Sequence, residues 1–354
     1  MADRNAKENP VVLQSDSKSQ QLELLRSRVD PEVLMGLDSY VAAVGPGGLS
    51  GVSDIAARRK LYADMMKQRS AAVHDPDVTR SDCVLPRGDG YGSLAIRIYG
   101  PAQRGQAAAL PAVLHLHGGG LVMGNLDGDT AAVQRLAREV PCVVISVDYR
   151  LAPEHPFPAA VEDALLAAHW IFANAHTLGV DTRRLAVYGA SAGATIASGA
   201  TLMARAESLE LFAFQMLVYP MLDDRSNSRS SHDIVGLGTW SREANCQSWD
   251  AYLTEEIRNS TSLAIAAPAR QVDMSQLPPA YIEVGELDLF RDEAIGYAAR
   301  LLEHRVPTEL HVYPGGVHGS ENWAPQSELA GRLWAYRTSA LRRVLGDSAR
   351  LTQS

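Results

Sequence analysis

From residue 93 onward, short runs rich in apolar residues alternate with longer stretches of helical pattern. Most of the short runs are almost entirely apolar, as expected for strands buried on both faces of a parallel sheet. The predicted strands are Leu94–Tyr99, Ala112–His117, Cys142–Val147, Leu185–Gly189, Gln215–Tyr219, Ala280–Gly285 and Glu309–Tyr313. The predicted helices are Thr130–Glu139, Ala159–Ala175, Ala192–Ala206, Arg291–His304 and Gln326–Leu345. This alternation predicts an α/β fold with a mostly parallel central sheet flanked by helices.

Two segments do not follow the alternation. Residues 21–79 have a helical pattern with no strand, and the sequence Asp30-Pro31-Glu32 is typical of a helix start. Residues 223–275 are polar, with helical patches, and interrupt the predicted α/β domain, which spans 80–345. We therefore expect these two segments to form a helical cap. Residues 1–20 are predicted to be disordered and residues 346–354 to form a C-terminal tail.

Composition excludes several classes of protein. The 354 residues include 33 Lys and Arg against 41 Asp and Glu, a formal net charge of −8, which argues against binding to nucleic acid or to an anionic membrane surface. The three cysteines are far apart in the sequence and form no metal-binding or disulfide pattern. No apolar stretch is long enough for a membrane span, and the N-terminus lacks a secretory signal, so we expect a cytoplasmic protein.

The pentapeptide Gly189-Ala190-Ser191-Ala192-Gly193 follows the strand-like run Leu185–Tyr188 and precedes an Ala-rich helical run. A strand, a G-x-S-x-G turn and a helix in this order are typical of the nucleophile elbow of α/β hydrolases. The turn is so tight that only glycine leaves room for the strand and helix on either side of the serine. Although such a pentapeptide also occurs by chance at Gly- and Ala-rich helix starts, this context favours Ser191 as a nucleophile.

A second glycine-rich motif, His117-Gly118-Gly119-Gly120, ends the predicted strand Ala112–His117. Consecutive glycines let the backbone bend close to a substrate and turn amides toward a developing oxyanion. The alternative is a phosphate-binding loop, but neither of the nucleotide-binding glycine patterns follows. We therefore expect an oxyanion hole at this loop.

A nucleophilic serine needs a general base. In α/β hydrolases the base is a histidine that follows the acidic residue of the triad in the chain. His318 is the histidine that lies in a loop after the last predicted strand, within Pro314–Gly319. His304 and His311 fall within a predicted helix and a predicted strand, where surface or packing roles fit better. His318 is therefore the candidate base.

The acid that orients the base is less sharply defined. Asp288 follows the predicted strand Ala280–Gly285 by three residues, and polar groups of such sheets gather at the carboxyl ends of strands. Glu286 and Asp292 are the competing carboxylates, although Asp292 also fits a favourable charge in the first turn of a helix. We prefer Asp288 and keep the other two as alternatives.

Taken together, these motifs resemble the hormone-sensitive lipase family of α/β-hydrolase esterases, also called the bacterial family IV esterases. The resemblance covers about residues 80–345, and its most specific part is the stretch Tyr149–Ala160 (YRLAPEHPFPAA). It implies a Ser-His-Asp triad of Ser191, His318 and Asp288. The sequence departs from the family at the elbow, where Ala190 replaces an Asp or Thr.

The resemblance also implies which backbone groups hold the oxyanion. The donors would be the amides of Gly119, Gly120 and Ala192, with Gly118 shaping the bend. It implies helical cap segments before the sheet and before the acid, no metal or organic cofactor, and a homodimer formed through the last strand and the C-terminal helix.

The sequence thus predicts a serine carboxylic-ester hydrolase acting on small to medium acyl esters. A lactone or amide hydrolase with the same triad is an alternative, because the same groups serve all three acyl transfers. A non-catalytic ligand-binding protein on the same scaffold is a second alternative, although the retained His318 weighs against it. Among the aromatic residues, Trp240, Trp249, Tyr252, Phe290 and Trp323 are candidates for either the pocket or the core.

Overall fold

The computed structural model of the chain describes residues 19–71, 73–88, 90, 92–103 and 109–346. The predicted disordered segment and the predicted C-terminal tail lie outside these residues, apart from residues 19, 20 and 346. Residues 19–26 are helical, so a helix begins earlier than the predicted boundary at residue 21.

An eight-stranded sheet forms the centre of the molecule, in the order β1-β2-β4-β3-β5-β6-β7-β8. The strands are β1 Val78–Pro86, β2 Ser93–Pro101, β3 Leu110–Leu116, β4 Val143–Val147, β5 Val180–Ala190, β6 Phe214–Val218, β7 Ala280–Leu287 and β8 Thr308–Val317. β1 pairs with β2, and β2 with β4, in antiparallel fashion, whereas the remaining pairs are parallel. The predicted mostly parallel sheet is therefore confirmed.

The sequence prediction missed β1. The strand lies at one edge of the sheet, and most of its side chains are exposed. Its sequence, Val78–Pro86, therefore mixes charged and polar residues among few apolar ones and lacks the continuous apolar run that marks the central strands. Because β1 lies at the edge of the sheet, its sequence has no run of apolar residues from which a strand could be predicted.

Helices cover both faces of the sheet. After the helical residues 19–26, the helices are α1 Pro31–Val44, α2 Ile55–Ala71, α3 Thr130–Glu139, α4 Ala159–Ala173, α5 Ala175–Leu178, α6 Ala192–Ala206, α7 Arg229–Asp233, α8 Arg242–Tyr252, α9 Glu255–Arg258, α10 Leu263–Ala266, α11 Arg291–Glu303, α12 Ser320–Trp323 and α13 Glu328–Leu345. Because side chains alternate along a strand, Val113 of β3 belongs to the apolar cluster with α3 and α13, and Leu114 to the cluster with α4 and α6.

The N-terminal helices pack against the segment that interrupts the α/β alternation. Asp30 caps α1, with its carboxylate accepting from the backbone N–H of Glu32 and Val33. Arg58 of α2 donates to the side chain of Gln247 in α8, and Gln247 donates back to the carbonyl of Ser53. No described helix is both long enough and apolar enough to cross a bilayer.

Candidate active site

Ser191 lies at the sharp turn between β5 and α6. Its φ angle of +54° is a left-handed conformation that residues other than glycine rarely adopt. A Cβ atom at Gly189 would lie 2.2 Å from the carbonyl oxygen of Gly193, and a Cβ at Gly193 would lie 2.1 Å from the carbonyl oxygen of Leu116. Both glycines of the pentapeptide are therefore required by close backbone contacts, as the sequence pattern predicts.

The imidazole of His318 lies between Ser191 and Asp288. Nε2 is 3.0 Å from the Ser191 Oγ, and Nδ1 is 2.8 Å from the Asp288 Oδ2. The other Asp288 oxygen accepts from the backbone N–H of Phe290, and Asp288 is buried. Since the Asp288 carboxylate can only accept, Nδ1 carries the proton of a neutral ring, and Nε2 is free to accept from the serine hydroxyl.

The two competing carboxylates hold other partners. Glu286 accepts from the backbone N–H of Gly315 and pairs with Arg28, which together hold the pKa of the Glu286 carboxyl below its usual range. Asp292 accepts from the backbone N–H of Ser230 and from Arg291. Of the three candidates, Asp288 is the one hydrogen-bonded to His318.

Aromatic rings enclose the His318 imidazole. The rings of Tyr219 and Phe290 meet it edge-on, with centroids 4.8 and 5.2 Å away, and the Trp323 indole N–H donates to the His318 carbonyl. The sequence pattern places Tyr219 at the end of the predicted strand Gln215–Tyr219 and indicates no role for it. Its position at the carboxyl end of β6, where ligand-facing groups gather, is the sequence signal that could have identified it.

The glycine loop lies beside the serine. Gly119 has a φ of +132°, and a Cβ there would lie 2.0 Å from the Met123 carbonyl oxygen. A Cβ at Gly118 would lie 3.5 Å from the Cβ of Ser191. Ala192 is the first residue of α6, where backbone N–H groups have no partner within the helix. Gly118, Gly119 and Gly120 thus line the same cavity as Ser191, and Ala192 directly follows Ser191 in the chain.

His117 holds the glycine loop in place. Its ring stacks on Tyr149, with centroids 4.2 Å apart, and the Tyr149 hydroxyl donates to the His117 carbonyl. Its Nδ1 donates to the carbonyl of Gly118 at 2.8 Å. Burial lowers the pKa of His117 to about 4. The neutral ring therefore acts as a fixed structural support for the loop at physiological pH.

A cavity of about 150 Å³ adjoins Ser191, His318 and the glycine loop. Its aromatic wall combines residues from distant parts of the chain: Tyr40, Tyr62, Tyr219, Trp240 and Trp323. Of the aromatic candidates, Trp249 and Tyr252 are instead buried in the core, and Phe290 contacts His318. Tyr40 and Tyr62 carry no local signal that separates them from core residues, so the sequence did not identify them.

Within the part of the chain that the structure describes, no group of three or more His, Cys, Asp or Glu side chains is arranged to hold a metal ion. The absence of a metal or organic cofactor stays a prediction.

Comparison with known proteins adds independent information. A family model described as the alpha/beta hydrolase fold matches residues 113–322, more than half of the chain. The esterase LipI of Mycobacterium tuberculosis is 36% identical over 326 residues, which cover 90% of this chain and 95% of LipI. The chain belongs to the hormone-sensitive lipase family of α/β hydrolases. The family predicted from the sequence motifs is thus confirmed.

Other proteins similar to this chain are also named as esterases or hydrolases. The carboxylesterase NlhH of M. tuberculosis is 34% identical, over 73% of this chain and 80% of NlhH. An ethyl acetate hydrolase of Pseudomonas putida is 35% identical, over 73% of this chain and 81% of the hydrolase. A solved bacterial heroin esterase superposes with a TM-score of 0.82 at 35% identity, over 91% of this chain and 99% of its own. The protein is therefore an α/β hydrolase of the carboxylesterase type.

Proposed function

We propose that the protein hydrolyses small to medium carboxylic esters through a catalytic triad of Ser191, His318 and Asp288. The observation that carries this proposal is the position of the His318 ring, 3.0 Å from the Ser191 Oγ through one nitrogen and 2.8 Å from Asp288 through the other. This is the arrangement in which an imidazole takes a serine proton while a carboxylate fixes its orientation.

The proposed reaction has two acyl-transfer steps. His318 Nε2 takes the Ser191 proton as Oγ bonds to the ester carbonyl carbon, and the alcohol leaves with that proton. Water then attacks the acyl-enzyme, giving a proton to His318, and the acid is released as Ser191 regains its hydrogen. In each step the amides of Gly119, Gly120 and Ala192 stabilise the oxyanion, and Gly118 allows the bend of the loop.

The size of the cavity supports the substrate range. At about 150 Å³, the space beside Ser191 fits a short acyl group directly, and tyrosine and tryptophan side chains form part of its wall. One relative is named an ethyl acetate hydrolase, and ethyl acetate is an ester with a short acyl group.

We also propose that residues 21–79 and 223–275 form a cap over the cavity. Tyr40 and Tyr62 of the first segment and Trp240 of the second line the cavity, and the two segments are hydrogen-bonded through Arg58, Gln247 and Ser53. Side chains of the cap would therefore determine which substrates fit.

Replacing the nucleophile tests the proposed mechanism. Ser191→Ala removes the attacking oxygen, so kcat on p-nitrophenyl butyrate should fall on the order of 10⁶-fold with the fold unchanged by circular dichroism. Ser198→Ala removes a buried serine from α6, the helix that follows Ser191, and should keep kcat within about twofold of the wild type.

Two results would contradict the proposal. Wild-type turnover in Ser191→Ala would exclude Ser191 as the nucleophile. A side-by-side panel of short esters, lactones and anilides would contradict ester hydrolysis if a lactone or an anilide were the better substrate, and a ligand-binding protein would turn over none of them.

A further inference from the structure

A second and larger cavity lies behind the nucleophile elbow, on the face of the sheet covered by α3 and α13. Its volume is about 610 Å³, against about 150 Å³ for the cavity beside Ser191. α3 contributes Ala132 and Gln134 to its wall, and α13 contributes Trp334. Neither the triad nor the glycine loop lines this space, so the proposed reaction leaves it without a role.

The two cavities share part of their walls. Asp129, Ala190, Tyr219 and Asn322 line both of them. Ala190 immediately precedes Ser191, and its side chain, a single methyl group, belongs to the apolar cluster on the α3 and α13 face. Of the four shared residues, Ala190 has the smallest side chain. The wall between the two cavities therefore holds the least side-chain volume next to Ser191.

The larger cavity differs from the catalytic one in chemistry. Three arginines line it, and each already holds a carboxylate of the same wall: Arg135 with Glu139, Arg138 with Asp75, and Arg337 with Glu321, all at 2.6 Å. Each arginine charge is therefore offset by a carboxylate, which leaves little positive charge to attract an anion. A long alkyl chain would displace water from the ion pairs without replacing the hydrogen bonds that the water makes, and this loss costs free energy of binding. An uncharged polar group replaces those hydrogen bonds.

We infer that this cavity is a substrate subsite, reached past Ala190, for an ester arm that carries uncharged polar groups such as ethers, hydroxyls or amides. The inference rests on the proposed esterase function and adds the class of substrate to it. The arm belongs either to the acyl part or to the alcohol part of the ester, and separate substrate series distinguish the two.

The test measures kcat/KM of the full-length enzyme on substrates matched in chain length. The acyl pair is p-nitrophenyl dodecanoate and p-nitrophenyl 4-[2-(2-methoxyethoxy)ethoxy]butanoate. The alcohol pair is decyl acetate and the acetate of triethylene glycol monomethyl ether. In one of the pairs the polyether should be preferred over the alkyl ester by about tenfold or more.

Filling the cavity should remove this preference. Ala190→Leu narrows the shared wall, and Ala132→Phe fills the space from the half-buried side of α3, remote from Ser191 in the chain. Each should lower the polyether preference at least about fivefold. Val272→Ala, at a side chain that is 83% exposed, is the control and should keep the wild-type preference.

The inference is overturned if neither pair shows a polyether preference, or if both filled variants keep it. If Ala190→Leu fails to fold, Ala132→Phe alone decides, because it changes a partly exposed helix position. If the wild type turns over p-nitrophenyl acetate and Ser191→Ala does not, the proposed esterase function is supported whatever the polyether series shows. Loss of that turnover in the wild type would instead contradict the esterase proposal itself.

Discussion

The two sides of the catalytic cavity are built in different ways. On one side, the elbow at Ser191 and the loop Gly118–Gly120 are short continuous segments whose backbone approaches other backbone within van der Waals contact. On the opposite side, Tyr40, Tyr62 and Trp240 come from segments far apart in the chain and contribute through their side chains. We therefore expect the positioning of Ser191 and of the oxyanion amides to depend on backbone geometry, and the choice of substrate to depend on side chains that can be replaced.

The largest effect should come from the backbone side. Gly193→Ala places a Cβ where the Leu116 carbonyl oxygen would be 2.1 Å away, so the strand and helix must separate. We expect a loss of about 3 kcal/mol or more in the free energy of unfolding, measured by urea denaturation.

Gly296→Ala is the matched control for that variant. Gly296 lies within α11, and a Cβ there meets nothing within 4 Å, so the same substitution should stabilise the protein by roughly 0.5–1 kcal/mol. Wild-type stability of Gly193→Ala would show that the elbow is less constrained than its contacts indicate.

The next effect concerns the loop support His117. Its pKa is lowered to about 4 from 6.5, so the folded state prefers the neutral ring and the unfolded state takes up the proton first. The resulting stability is present above pH 6.5 and is lost as pH falls toward 4. Between pH 7.5 and pH 4.5 the wild type should therefore lose on the order of 2–3 kcal/mol through this group.

His117→Gln separates that loss from the titration of other groups. The pH dependence of the unfolding free energy should be shallower in the variant by the same amount. Parallel curves for the two proteins would mean that His117 is protonated in the folded state as easily as in the unfolded one.

The smallest effect should come from the aromatic wall. Trp240 packs against Gly120, where a Cβ would lie 2.4 Å from its ring. Trp240→Ala should raise KM for p-nitrophenyl butyrate on the order of tenfold while kcat changes little. Phe172→Ala, at a half-exposed ring at the end of α4, is the control and should change neither constant.

A large fall in kcat with KM unchanged in Trp240→Ala would contradict this expectation, because a side chain of the cavity wall would then act on the chemical step.

The same contrast explains what the sequence could predict. The elbow, the glycine loop and His318 are set by short motifs in which few residues satisfy the backbone, and the structure brings these residues together. Asp288 needed the structure, because sequence position alone did not separate it from Glu286 and Asp292. Tyr40 and Tyr62 were missed, since an aromatic residue of the pocket and one of the core look the same in a helical pattern.

Other features still stand as sequence predictions. The homodimer through β8 and α13 and the cytoplasmic location are among them. β1 was missed for a physical reason, since an edge strand exposes most of its side chains and needs no apolar run.

Covalent labelling tests directly whether Ser191, His318 and Asp288 act as a triad. The protein is treated with a fluorophosphonate, and the modified peptide is mapped by mass spectrometry in the wild type and in Asp288→Asn. We expect one phosphonate on the Ser191 Oγ in the wild type and much slower labelling of the same atom in Asp288→Asn. A label on another residue, or equally fast labelling in the variant, would contradict it.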